Sequence, residues 1–158
     1  MKAIESAPTF VSSLRDLFNN ALEVGDAATA REAVEHVQAY ELGYDLWLRM
    51  AVDWLISFDT PSACEEFLND EVAKYPENAL ARLLLAKFHL NLGNADLARP
   101  ILTALSAQDN AEATFYLGLM AKGDGDIGTA VAFFKKALAL NPGHEQTIQE
   151  IRGLMESR

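Results

Sequence analysis

Two aspartates alternate with glycines in "AKGDGDIG", Ala121 to Gly128, immediately before an apolar run. Carboxylates and glycines so spaced are the raw material of a calcium loop or a phosphate cradle, because carboxylate oxygens bind hard cations and glycine lets backbone N–H groups close around an anion. A calcium loop needs further oxygen ligands and a closing glutamate, and Asp124 and Asp126 have none at the required places. The simpler chemistry is conformational: the glycines supply positive φ to a tight turn, and Asp126 is placed to cap the next helix. Other reactive side chains stand apart. His36, His89 and His144 have no carboxylate or cysteine at ligand spacing, and Cys64 is the single cysteine, so zinc, triad and internal disulfide all lack their ingredients. Neither paired carboxylates nor an activated nucleophile is visible. The sequence therefore predicts no enzyme, no cofactor and no metal.

The elements that hold these residues are helices. Leu14, Leu17, Phe18 and Leu22 recur at helical spacing, as do Leu85, Phe88 and Leu92, and near the end Ile148, Ile151 and Met155. Turn residues divide them: "VGDA", "FDTP", "LGNA" and "KGDGDIG" alternate with "YPEN" and "NPGH". Thr60 and Asn94 are expected N-caps, with Pro61 at a first helical position, where its missing N–H does little harm. Pro100 is expected to kink its helix or to delay its start, because it removes the bond to the Asp96 carbonyl.

The punctuation is periodic. From Ala111 the chain reads "AEATFYLGLMAKGDGDIGTAVAFFKKALALNPGH", which resembles the tetratricopeptide repeat, a helix-turn-helix unit of about 34 residues. Leu117 and Gly118 stand at its Leu-Gly pair, Ala130 and Phe134 at its A-x3-F, and Pro142 at its closing proline, while Thr114 and Ala121 replace its tryptophan and tyrosine. Ala79 to Asn110 aligns with the same unit, two residues short, and Asp45 to Asn78 and Val11 to Tyr44 match it less closely. Ala30, Cys64, Ala98 and Ala130 form a column of small residues where two helices would cross. The resemblance implies an all-α fold: one domain over residues 1–158, a right-handed superhelical array of antiparallel helix pairs. Its repeats are expected at 11–44, 45–78, 79–110 and 111–144, with a polar-faced capping helix at about 145–157.

Composition narrows the partners. A chain of 158 residues that is 50% hydrophobic can bury a core. Its apolar runs fall far short of the ~18 to 20 residues of a spanning helix. Its amino terminus, "MKAIESAPTF", lacks the apolar stretch and cleavage pattern of a secretory signal, so a cytoplasmic location is expected. A net charge of −10 argues against nucleic acid.

In tetratricopeptide proteins the first helix of each repeat lines a concave groove. The resemblance places Arg15 and Asn19, Arg49 and Asp53, Leu83 and Lys87, and Phe115 and Leu119 on successive walls, with Lys122 one turn further. Each pair is four residues apart, so both members share a helical face. Arg15, Arg49, Lys87 and Lys122 would gather positive charge suited to a carboxylate or an acidic peptide. Co-chaperones of the family clamp a terminal carboxylate with lysine, asparagine and arginine; here Arg15 and Asn19 resemble the first pair, but Met50, Leu80 and Leu84 occupy the other places. Those residues with Leu46 suggest a mixed groove for an amphipathic helix or an extended peptide. The function implied is a non-enzymatic scaffold or adaptor that binds another protein. One alternative is a small acidic chaperone of the secretion type for an apolar partner; another is a subunit that self-associates, as a homo-oligomer or within a larger assembly, through Trp47 and Trp54 or the exposed end of the first repeat. Those tryptophans, with Tyr40, Tyr44 and Phe58 nearby, are expected to serve packing first.

Overall fold

The computed structural model describes residues 7–156, all of whose regular structure is α-helical. The chain divides after Tyr75 into two compact units. The first holds α1 (Ala7–Val24), α2 (Ala27–Ala39), α3 (Tyr44–Phe58) and α4 (Pro61–Lys74). The second holds α5 (Ala79–Asn91), α6 (Ala95–Ala107), α7 (Ala111–Gly123), α8 (Ile127–Leu140) and α9 (Glu145–Glu156). Each expected repeat is a helix pair, and α9 is the expected final helix; α1 starts four residues before the predicted Val11.

Local chemistry sets the turns. After α1, α5 and α7 the chain places Gly25, Gly93 and Gly125 at φ of 75°, 78° and 80°. The next residue's N–H then reaches back into the helix: Asp26 to Ala21, Asn94 to His89 and Asp126 to Ala121, at 2.8, 2.8 and 2.9 Å. This left-handed closure satisfies carbonyls that a helix end leaves unpaired, and it favours glycine. Asp26 and Asp126 also cap the helices α2 and α8, each accepting from the N–H of the threonine three residues on, at 3.0 Å. These hydrogen bonds hold both carboxyls below the usual aspartate range. The glycine-aspartate motif is thus a turn: Asp126 caps α8, and Asp124 pairs with Arg99 at 3.0 Å.

Two expected caps part company. Thr60 accepts from Ala63 N–H at 3.2 Å ahead of Pro61. Asn94 occupies the cap position of α6, yet its side chain makes no capping bond. Pro100 does not delay α6, which starts at Ala95 and runs through it. Asp96 and Pro100 both lie on the exposed side of the helix, where water can serve the carbonyl that proline deprives of its partner.

The small column sits inside. Ala30, Cys64, Ala98 and Ala130 are each 0% exposed, one in the second helix of every pair, so a short side chain lets that helix approach its neighbour. In the first unit Leu14, Phe18, Ala33, Val37 and Met50 pack with Ala30. In the second, Leu83, Leu102, Leu105 and Leu117 pack with Ala98, and Phe115, Ala121 and Phe134 with Ala130. Thr114, in the place of the family's tryptophan, is buried and hydrogen bonded to Ser106 Oγ at 2.8 Å. Lys136 donates to the Ser106 carbonyl at 2.7 Å, so a polar network stands where the larger ring would.

Candidate protein-binding surfaces

The residues expected on groove walls meet different fates. On α1 and α3, which touch, Arg15, Asn19, Arg49 and Asp53 are all exposed. Arg15 and Arg49 occupy equivalent places of successive repeats, and neither makes an ion pair among the described residues. In the second unit the cations are engaged. Lys87 of α5 pairs with Glu112 of α7 at 2.9 Å and lies 5.4 Å from the Tyr116 ring centre. Burial alone would lower the Lys87 pKa, but the hydrogen bond and charge of Glu112, with Tyr116, raise it. Lys122 of α7 pairs with Glu150 of α9 at 2.6 Å. The first pair ties α5 to α7 and the second ties α7 to α9.

The apolar wall is mostly core. Leu83 is 3% exposed, and Met50, Leu80 and Leu84 are also buried. Buried, they offer little surface to the ligand they are expected to face. Phe115 is buried too, with Phe134 and His144 around its ring at 5.8 and 4.9 Å. Its edge nevertheless lines, with Leu119, a cleft of about 290 Å³ bounded by Gln146, Gln149 and Glu150 of α9.

The two tryptophans separate as well. Trp54 is locked into packing: its indole N–H donates to the Ala27 carbonyl at 3.0 Å, and Arg31 lies 5.7 Å from its ring centre. Trp47 belongs to an aromatic ladder that sequence spacing on a single helix does not display. Tyr75, Tyr44, Trp47 and Phe67 succeed one another at 5.2, 5.7 and 5.8 Å between ring centres. The ladder lines a cleft of about 700 Å³ formed by the end of α2, the start of α3 and the end of α4. Glu71, 3% exposed, stands in its wall. The Tyr44 hydroxyl donates to one carboxylate oxygen of Glu71 at 2.7 Å, and the Lys74 ammonium to the other at 2.9 Å.

Burial, the hydrogen bond to Glu71 and the charge of Glu71 all hold the Tyr44 phenol well above its usual value of 10.0. A folded pKa raised above the unfolded one contributes stability that is whole below about pH 10 and is lost as pH climbs beyond it. Urea unfolding should therefore show wild type falling relative to Tyr44→Phe from about pH 10 upward, with a constant difference below. Parallel curves throughout would mean that the phenol titrates freely in the folded chain.

Charge is distributed unevenly. Residues 1–75 carry 14 acidic and 5 basic side chains, and residues 76–158 carry 9 and 8. Nearly all of the net charge of −10 thus belongs to the first unit.

The helix pairs, their glycine closures and the small-residue column define a helical repeat array, the class of protein that presents surfaces to other proteins. Within that class, residues 65–123 match the sequence model of the tetratricopeptide repeat. Among solved structures it is similar to a MamA protein, at 19% identity and a TM-score of 0.59 over 94% of this chain and 80% of that one. It is also similar to MamA from Desulfovibrio magneticus RS-1, at 18% identity and a TM-score of 0.54 over 92% of this chain and 93% of that one. At such identities the likeness is one of fold. No curated protein sequence matches the chain.

Proposed function

We propose that the chain is a non-catalytic interaction module that holds a segment of another protein on α1 and α3 of its first unit, with Arg15, Asn19, Arg49 and Asp53 as the polar contacts. One observation carries the reading. Of the four cations expected to line the walls, Lys87 and Lys122 are paired with glutamates of α7 and α9, whereas Arg15 and Arg49 are exposed and outside every ion pair of the described residues. Two equivalent guanidinium groups on touching helices offer bidentate donors to carboxylates of an extended or helical segment.

The test is capture from a native cell extract on immobilised chain, comparing wild type with Arg15→Glu, Arg49→Glu. Both sites are exposed, so the double variant should keep its helical spectrum and unfolding midpoint. A partner retained by wild type should be depleted about tenfold or more on the variant, the scale of losing two charge-assisted contacts. Equal retention by a folded variant would overturn the assignment of this face.

A further inference from the structure

The aromatic cleft of the first unit has no part in that groove. We propose that it is a second binding site, one that receives a lysine or arginine side chain borne on a basic segment of a partner protein. The proposal rests on the reading of the chain as a protein-binding module, but on different residues.

Three observations converge. First, the rings of Tyr44, Trp47, Phe67 and Tyr75 surround one cleft, and Tyr75 remains 51% exposed. Ring faces are electron-rich and attract ammonium and guanidinium groups within about 6 Å of the ring centre. Tyr44, Trp47 and Phe67 are half-buried, and Tyr75 presents its ring to water at the mouth of the cleft. Secondly, the cleft holds a carboxylate in its wall, Glu71, and a second at its rim, Glu41. Glu71 already receives an ammonium group: Lys74, whose side chain is 60% exposed, reaches in from the solvent side to 2.9 Å. A partner's cation would take the place of Lys74 at Glu71, whose other oxygen stays with Tyr44. Thirdly, the first unit is the acidic one, with 14 acidic against 5 basic side chains in residues 1–75. At this cleft, beside Glu71 and Glu41, an anionic segment is repelled and a neutral one gains nothing from the field, whereas a basic one is drawn to it. Aromatic faces, a carboxylate and a negative surround together specify an organic cation, and a volume of about 700 Å³ leaves room for the aliphatic stem and part of the adjoining backbone.

The experiment uses the full chain labelled with nitrogen-15 and four probes: acetyl-capped, amidated hexapeptides alternating alanine with lysine, with arginine or with glutamate, and tetramethylammonium chloride. The two indole N–H signals are the readout. Trp47 lies in the cleft, and Trp54, tied to Ala27, serves as the internal control. The lysine or arginine peptide should move the Trp47 signal saturably and leave Trp54 in place. Tyr75→Ser, at an exposed position, should weaken that binding about tenfold, and Glu41→Gln by a smaller factor in the same direction. Arg15→Ala, Arg49→Ala should leave it unchanged, so failure of the groove reading and failure of this one are told apart. The proposal is overturned if neither basic peptide moves Trp47, if the glutamate peptide moves it equally, or if Tyr75→Ser binds as wild type. A response to tetramethylammonium equal to that of the peptides would also overturn it, by making the site one for a free small cation.

Discussion

Phe134→Ala should remove about 3–5 kcal/mol from the second unit. The ring is 0% exposed and packs against Phe115, Ala121, Ala130 and Ala137. It also lies directly over Gly118: a Cβ placed on that glycine would meet ring carbons of Phe134 at 2.5 and 2.6 Å. The Leu-Gly pair and the A-x3-F of the repeat are thus two halves of one contact, the bare backbone of α7 admitting the ring of α8. Gly118→Ala gains about 1 kcal/mol in helix propensity, yet a fully enclosed ring has nowhere to retreat, and a net loss of about 1–3 kcal/mol is expected. The pair gives a double-mutant cycle. Phe134→Leu alone should destabilise, and Gly118→Ala added to it should cost less than in wild type, because the shorter side chain vacates the position that the new methyl needs. Urea denaturation of the four chains measures the coupling, and strict additivity would show that ring and glycine do not oppose one another.

Cys64 should be nearly inert while the first unit is folded. It is 0% exposed at the crossing of α4 with its neighbours, and burial, then the charge of Asp53, pushes its thiol from 9.0 up to about 11. A rise of that size leaves about a hundredfold less thiolate near pH 8, and the thiolate is the reactive form. Iodoacetamide at about pH 8 should accordingly modify the native chain at least about a hundredfold more slowly than the urea-unfolded chain. Rates within about tenfold of each other would mean that the crossing opens readily. The same place explains the residue type: Cys64→Ala fits the column, whereas Cys64→Leu inserts methylenes at a fully enclosed position.

The fold was open to reading because its signals are local. Gly25, Gly93 and Gly125, then Pro61, Pro76 and Pro142, and the small column of Ala30, Cys64, Ala98 and Ala130 each act within a few residues or recur at a fixed period, and the helices obey them. The surfaces were less open for a physical reason. Whether Lys87 is available depends on Glu112, and Lys122 on Glu150, partners 25 and 28 residues away that are brought close by the register between helices. No spacing along one helix encodes that register. Leu83 and Phe115 misled for another reason. α5 and α7 are buried at most positions, including Leu80, Leu84, Leu85 and Phe88 on α5 and Leu117 and Met120 on α7, so a helical wheel offers no wet face on which to set them. The aromatic ladder is not written in the spacing along one helix, because Trp47 lies on α3 whereas Phe67 lies on α4 and Tyr75 just after it.

The lopsided charge matters before any contact forms. At physiological ionic strength a surface charge is felt over about 8 Å, and at lower salt considerably further. A molecule with its negative charge concentrated in one half does not collide with a cationic partner at random; it is turned while still separated, and encounters begin at the first half more often than area alone would give. The second half, nearly neutral, adds surface without adding pull. Association would then quicken in dilute buffer and slow in concentrated salt through the rate of arrival, leaving the lifetime of the bound state to the short-range contacts.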